Sequence, residues 1–325
     1  MACEGMFALL KNDTRMGNPM MDKVAVGLRL AACFPDECIL IDEPMANHTT
    51  FAVGGPADYL VLARDADDVR AAIEAARACD APVHVIGCGS NILVSDAGLP
   101  GVVVKIGPAM ARIEVDGTDI VAQAGATNEE VANAALAAGL SGYEFASGIP
   151  GSIGGAAIMD AGAYEGEFRD VGVSTTCLAP DGTVREVPAP EADWGYRHSM
   201  MMDAGMIVLE ARIRLTPAPR EEIRAKMDDL ARRRAEKQPL ELPSAGSTFK
   251  RPTGYFAGKL IQDAGMRGHR VGGAMVSEKH CGFVVNAGGA TAADVLQVIR
   301  DVQQAVYEHD GVRLEPEVRL WGFEE

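Results

Sequence analysis

The chain has 325 residues, 48% of them hydrophobic and 23% charged, and its formal net charge is −16. That length supports two or three domains with sizeable cores, and the composition is that of a globular protein rather than a disordered, fibrous or disulfide-rich one. So acidic a balance excludes nucleic acid and anionic membrane as partners, and it obliges any anionic substrate to find a locally basic pocket. No apolar run approaches the length of a membrane span. The seven cysteines, Cys3, Cys33, Cys38, Cys79, Cys88, Cys177 and Cys281, are an odd, scattered set with no CxxC, and the six histidines are dispersed. No disulfide framework and no metal site is expected from them.

Residues 1–22 are polar and Met-rich, lack the apolar stretch of a secretory signal, and read as a mobile extension with Met20 or Met21 as a candidate start. Residues 23–40 read as a helix with Leu28, Leu30 and Cys33 on one side. A turn and strand follow over 49–62, punctuated by Gly54-Gly55-Pro56. Asp65 to Asp68 cap a helix running to Cys79, with Val69, Ile73 and Ala76 at helical spacing. Strands are expected at 83–86 and 102–106. The second unit opens with strands at 113–115 and 120–124 around Asp116-Gly117. Thr127 then caps a helix to Ala138, with Glu129 and Glu130 in its first turn and Gly139 as its stop. Strands 173–179 and 184–187 flank the turn Pro180-Asp181-Gly182, and 207–215 is a further strand. After Pro217-Ala218-Pro219 comes a charged helix, 220–238, with Ile223, Met227 and Leu230 on one narrow face. Its basic triplet Arg232-Arg233-Arg234 suits the helix dipole and reads as a solvated face, with a diphosphate contact as the alternative. A last helix, 292–309, turns at Gly311 into a strand over 312–321.

Two glycine clusters stand out. Residues 145–164 contain Gly148, Gly151, Gly154, Gly155 and Gly162 around a Gly-Ile-Pro-Gly-Ser turn and the apolar Ile153, Ala156, Ala157, Ile158 and Met159. Such a segment lays main-chain N–H groups against a large flat or anionic ligand, or else forms a tight packing seam. The second cluster, Gly87-Cys88-Gly89-Ser90-Asn91, joins the strand 83–86 to Ile92-Leu93-Val94. A Rossmann fingerprint needs a third glycine and a following helix, and both are missing here. The N–H groups of Gly89, Ser90 and Asn91 instead suit a nest around a pyrophosphate. Cys88 is either a reactive thiol or a small buried residue.

Three stretches taken together, Asn47-His48-Thr49-Thr50-Phe51-Ala52-Val53-Gly54-Gly55-Pro56-Ala57, Gly87 to Val94 and Ser147 to Gly155, resemble the MurB family, the UDP-N-acetylenolpyruvoylglucosamine reductases of bacterial cell-wall synthesis. The resemblance runs from about Asn47 to Phe323. It implies an α+β protein: a two-part FAD-binding module of the para-cresol methylhydroxylase type (23–107 and 108–218) and a C-terminal α+β substrate domain (219–325). It implies FAD as cofactor, held by Thr50, Gly54, Gly55, Gly87, Gly89, Ser90, Asn91, Ser147, Gly148, Ile149, Pro150, Gly151, Ser152, Gly154, Gly155 and Gly162. NADPH is the implied co-substrate, the enolpyruvyl ether of UDP-N-acetylglucosamine the implied substrate, and the cytoplasm the implied location. The expected state is a monomer or a weak homo-oligomer.

A carboxylate-bearing substrate needs a forked donor, which arginine supplies. The family's Tyr-Arg-x-Ser motif is similar to Tyr196-Arg197-His198-Ser199 and assigns that role to Arg197. Its Gly-Ser-x-Phe-x-x-Pro motif resembles Gly246-Ser247-Thr248-Phe249-Lys250-Arg251-Pro252 and makes Ser247 the proton donor; read alone, this is a loop without chemistry. Leu314-Glu315-Pro316-Glu317-Val318-Arg319 resembles the C-terminal motif and favours Glu317 over Glu315 as catalytic, the plain reading being a solvent-facing strand. Tyr196, Lys259, Gln262 and His269 are the implied substrate-binding groups. Met159-Asp160-Ala161-Gly162 departs from the family's Met-Asn-Ala-Gly, which puts one flavin contact in question. The stretch 199–243 is too short for the tyrosine-bearing lid of some relatives, so the chain reads as the shorter form. Two other readings remain open at this stage, an oxidase of the same flavin fold and a non-catalytic flavin or nucleotide-sugar binder.

Overall fold

The computed structural model describes residues 22–323, so the extension expected over 1–22 lies outside the described residues except for Asp22. Asp22 caps the first helix, α1 (Lys23–Cys33), its carboxylate accepting the N–H groups of Val24 and Ala25 at 3.0 and 3.2 Å. The buried face of α1 is Val26, Gly27 and Leu30; Leu28 is 43% exposed and Cys33 is exposed, contrary to the face read from the sequence. Gly27 decides it. A Cβ there would sit 2.5 Å from the Tyr59 hydroxyl, so the helix docks through its glycine. The helix ends at Phe34, ahead of Pro35, and does not reach residue 40.

The first sheet contains β1 (Ile39–Pro44), β2 (Pro56–Ala63), β3 (Val83–Ile86) and β5 (Leu99–Ile106), with α2 (Ala66–Arg77) between β2 and β3 and the short β4 (Ile92–Val94) between β3 and β5. Its order is β1-β2-β5-β3, with β1 antiparallel to β2 and the other pairings parallel. Parallel strands are covered on both faces. Accordingly Val102, Val103 and Val104 are all fully buried, which is why that run does not alternate with polar residues.

The second sheet contains β6 (Ile113–Asp116), β7 (Asp119–Gln123), β8 (Gly172–Leu178), β9 (Val184–Pro188) and β10 (Ile207–Arg214) in the order β9-β8-β10-β7-β6, antiparallel throughout. Helix α3 (Asn128–Ala138) opens on a capping box between Thr127 and Glu130 and stops at the left-handed Gly139. Helix α4 (Ile153–Met159) lies inside the glycine-rich stretch and was not legible there, because two consecutive glycines are poor helix formers. Packing overrides propensity. A Cβ on Gly154 would come 2.6 Å from that of Ala124, so the glycine lets α4 settle onto the sheet.

The third part begins with α5 (Arg220–Lys237), which buries the expected Ile223, Met227 and Leu230 and also Arg234. It continues with α6 (Ala257–Asp263), the antiparallel strands β11 (Arg270–Val271), β12 (Ala274–Val276) and β13 (Val284–Asn286), α7 (Ala292–Asp310) and β14 (Arg319–Trp321). Of the strand expected over 312–321, the last three residues pair in parallel with β4, Arg319 opposite Ile92, and Pro316 makes an isolated antiparallel bridge to Phe249. Asp96 caps α7 across the same junction, accepting from the N–H groups of Ala292 and Ala293 at 2.8 Å each. Phe51, Val53 and Leu93 join Val295, Val298 and Val302 in one apolar cluster. The C-terminal part is thus fastened to β4 and its neighbouring loops by ladder, cap and core together. Among the described residues no helix is long and apolar enough to cross a membrane.

Candidate functional site

A cavity of about 1060 Å³ runs between the first two sheets, lined by the glycine loops 87–91 and 149–152, by α4, and by the 238–247 segment that follows α5. The two loops interlock. A Cβ on Gly87 would lie 2.7 Å from Ser152 Oγ, and one on Gly151, at φ +131°, 2.8 Å from Ser90 Oγ. A Cβ at either point would displace the facing serine hydroxyl, and the positive φ at Gly151 independently favours glycine there. The main-chain N–H groups of Gly89, Ser90, Asn91, Gly151 and Ser152 have no acceptor among the described residues. Lys105 Nζ holds the first loop from behind, donating to the Gly87 carbonyl at 3.2 Å. A cavity of this volume with a rim of free N–H donors has room for a dinucleotide and donors for its diphosphate. Of the sixteen residues expected at the cofactor, Thr50, Gly87, Gly89, Ser90, Asn91, Ile149, Pro150, Gly151, Ser152, Gly154, Gly155 and Gly162 line this cavity. Gly54, Gly55, Ser147 and Gly148 do not. Gly54 and Gly55 pack on Val94 and the Asp96 main chain, Ser147 donates to the Glu144 carbonyl at 2.8 Å, and Gly148 lies under the Arg234 side chain. The glycine stretch therefore faces the cavity at Gly151, Gly154 and Gly155, and Gly154 is also a packing seam against Ala124. Cys88 lines this cavity, and burial pushes its thiol above the usual range, against the opposing charge of Lys105.

A second cavity, of about 400 Å³, adjoins it. Arg197, Arg251, Lys259, Arg267 and Lys279 line it, with Glu317 as its carboxylate. In a chain of net charge −16 this is the locally basic pocket that an anionic substrate requires. Arg197, Ser247 and Glu317 line both cavities and so stand where the two meet.

Each of the three is held by local structure. Tyr196 and Arg197 form the tip of a turn closed by Gly195 and His198, with Arg197 left-handed at φ +58°. Arg197 Nε donates to Glu317 Oε1 at 2.5 Å, and its Nη1 and Nη2 approach the carbonyls of Asp160 and Gly162 at 3.4 and 3.5 Å. The Ser247 and Glu317 segments run antiparallel: Lys250 N donates to the Glu315 carbonyl at 2.9 Å and Glu317 N to the Thr248 carbonyl at 2.8 Å. This short ladder points Glu317 inward and leaves Glu315 outside on Lys250. Burial pushes the Glu317 carboxyl above the usual carboxylate range, and the Arg197 charge opposes that shift. Ser247 is exposed to the cavities, and its hydroxyl has no partner among the described residues.

Tyr196, Lys259 and Gln262 line the small cavity, the Tyr196 hydroxyl accepting from Arg251 N at 3.0 Å. His269 lines neither cavity; its Nε2 lies 2.7 Å from Asp301 on α7. Asp160 also lines neither cavity. It is fully buried and left-handed at φ +43°, one oxygen accepts Arg169 N at 2.8 Å, and the other has no hydrogen-bond partner. Burial raises its carboxyl above the usual range. The departure from the family's asparagine thus acts on the protein interior and on the carbonyl that faces Arg197. Sequence reasoning missed Arg251, Arg267 and Lys279, and it gave Arg234 only within the triplet 232–234, with a diphosphate contact as the alternative to a solvated face. The first three are scattered over the loops flanking α6 and β12, and nothing in their spacing brings them together.

A family model described as UDP-N-acetylenolpyruvoylglucosamine reductase, C-terminal domain, matches residues 238–321, and one described as FAD binding domain matches residues 57–188. The UDP-N-acetylenolpyruvoylglucosamine reductase of Agathobacter rectalis is 55% identical over 302 residues, covering 89% of this chain and 95% of that protein. That of Alkaliphilus oremlandii is 46% identical over 304 residues, covering 94% and 100%. The crystal structure of the Thermus caldophilus enzyme, MurB, superposes with a TM-score of 0.75 at 35% identity, over 87% of this chain and 98% of that one. Near-complete coverage at such identity, on an α+β fold with an FAD-binding module, shows that the chain belongs to the UDP-N-acetylenolpyruvoylglucosamine reductase (MurB) family.

Proposed function

We propose that this chain reduces the enolpyruvyl ether of UDP-N-acetylglucosamine to UDP-N-acetylmuramate, with FAD as cofactor and NADPH as reductant, as a cytoplasmic step of peptidoglycan precursor synthesis. The observation that carries this reading is the position of Arg197, Ser247 and Glu317 at the meeting of a dinucleotide-sized cavity and a basic one. The residues at 23–107 and 108–218 hold the cofactor chiefly through main-chain N–H groups, and those at 219–325, together with Tyr196 and Arg197, hold the substrate.

When bound, FAD supplies a hydride to the methylene carbon of the enolpyruvyl group. Negative charge then develops on the neighbouring carbon and its carboxylate. Arg197 stabilises that charge with a guanidinium already oriented by Glu317 and two carbonyls, so little reorganisation is needed. Ser247 delivers the proton. A hydroxyl is a weak acid, yet a carbanionic carbon is far more basic than an alkoxide, and a hydroxyl with no competing partner is free to turn toward it. Glu317, its carboxyl raised by burial, assists by orienting Arg197 and the proton path. Tyr196, Lys259 and Gln262, joined by Arg251, Arg267 and Lys279, hold the anionic nucleotide-sugar. His269, engaged by Asp301, has a structural role instead.

The test is a visible spectrum of the purified protein, followed by NADPH consumption with and without the enolpyruvyl nucleotide-sugar. A flavin spectrum with NADPH oxidised far faster in the presence of that sugar is expected. Oxygen-dependent turnover indifferent to the sugar would overturn the reading in favour of an oxidase. Binding of FAD and sugar without NADPH oxidation would leave a non-catalytic binder.

A further inference from the structure

The basic triplet at the end of α5 is not uniform. Arg232 and Arg233 reach Asp229 at 2.5 and 3.7 Å on the helix surface. Arg234 is 8% exposed, lines the large cavity, and has no carboxylate partner among the described residues. Its polar neighbour is the Tyr164 hydroxyl, and burial presses its pKa down. A guanidinium taken out of water without an anion is unfavourable, and a fold keeps one where an anion arrives later.

Packing fixes where this guanidinium sits. Helix α5 is anchored by Ile223, Met227 and Leu230, by the ion pair of Lys226 with Glu144 at 3.2 Å, and by the Tyr164 hydroxyl on the Leu230 carbonyl at 3.3 Å. The Arg234 guanidinium carbon is 5.8 Å from the centre of the Tyr164 ring. On the other side lies Gly148, where a Cβ would come 2.8 Å from Arg234 Nε. The same loop carries the free N–H groups of Gly151 and Ser152 into the cavity. A forked donor therefore stands beside main-chain donors that themselves suit a diphosphate.

We infer that Arg234 is a side-chain ligand of the cofactor's diphosphate bridge, completing the cradle of main-chain N–H groups in the two glycine loops. The inference rests on the FAD reading above. It makes cofactor retention depend on a helix outside the segment 57–188 that matches the FAD binding domain.

The test compares FAD and riboflavin, which shares the ring system and lacks the diphosphate, as ligands of the full-length apoprotein by flavin fluorescence titration. Arg234→Met is expected to weaken FAD about 10- to 100-fold, the worth of a charged hydrogen bond, and to leave riboflavin unchanged within about twofold. Arg234→Lys, which keeps the charge, is expected to recover part of the loss and serves if the Met variant does not fold. The salt dependence of FAD binding should be shallower in Arg234→Met than in the parent protein. Equal FAD affinity in all three proteins would overturn the inference, as would parallel weakening of FAD and riboflavin, which would put Arg234 at the ring system. A parent apoprotein that binds no FAD would overturn the FAD reading itself.

Discussion

The glycine loops of the large cavity offer main-chain donors, whereas the small cavity offers charged side chains. In the first, the N–H groups of Gly89, Ser90, Asn91, Gly151 and Ser152 are free and a Cβ at Gly87, Gly89 or Gly151 would crowd the facing loop; in the second, five cations, Lys259 from α6 and the others from separate loops, stand around one carboxylate. The difference sorts what each region tolerates. A main-chain cradle is insensitive to most side-chain changes but intolerant of a Cβ at its glycines. A side-chain pocket degrades one charge at a time. The shared residues Arg197, Ser247 and Glu317 belong to both regimes, so their loss should touch chemistry more than the binding of either partner.

The largest effect is expected at that junction. Arg197→Met should lower turnover of the enolpyruvyl substrate about 10²- to 10³-fold, the cost of losing one preorganised electrostatic donor, while FAD content stays that of the parent protein. Steady-state kinetics with a flavin assay checks it, and a variant that loses its flavin would erase the distinction between junction and cradle. Next come the walls of the small cavity. Arg251→Ala and Lys279→Ala should each raise KM for the nucleotide-sugar about tenfold with kcat within about twofold, the pattern of a group that binds ground state and transition state alike. A fall in kcat at constant KM would move these residues into the chemistry.

Asp160 tests the interior behind the junction. Its carboxyl is raised by burial, with the Arg169 N–H and charge opposing and Glu167 and Asp170 adding to the rise. A raised folded-state pKa contributes stability that is present below the unfolded value and lost as pH rises through the folded one. Asp160→Asn does not titrate and tolerates the left-handed backbone, so its melting temperature should exceed that of the parent protein by a margin that grows with pH. A difference independent of pH would contradict the assignment. The smallest effect is expected at His269. His269→Ala should leave KM within about twofold and cost about 1 kcal/mol of stability through loss of its bond to Asp301, read by denaturant unfolding.

What the sequence made legible follows from locality. Helices α2 and α3 are announced by Asp65 and by the Thr127–Glu130 box, devices that act within one turn. The glycine loops are contiguous, so a candidate ligand surface or packing seam could be marked there before any fold was known, and the motif resemblance brought Arg197, Ser247 and Glu317 forward from positions that by themselves look like a turn, a loop and a strand. Long-range arrangement was not legible. Nothing local says that Arg319 lies opposite Ile92, that Asp96 caps a helix starting at Ala292, or that Arg251, Arg267 and Lys279 share a pocket. Propensity misled at α4, where packing on Ala124 outweighs two glycines, and on α1, where Gly27 and not Leu28 or Cys33 meets the sheet. The triplet Arg232-Arg233-Arg234 was read as one solvated face, with a diphosphate contact as the alternative, because a helical triplet does not reveal which member turns inward.

The most direct test of the account is an anaerobic single-turnover measurement on Ser247→Ala. The variant is first reduced with NADPH, then mixed with the enolpyruvyl nucleotide-sugar while flavin absorbance is followed. If Ser247 supplies the proton where the two cavities meet, reduction by NADPH proceeds as in the parent protein and reoxidation by the sugar is lost. Reoxidation at the parental rate would contradict the role given to Ser247, and with it the claim that the junction of the cavities is where the reaction takes place.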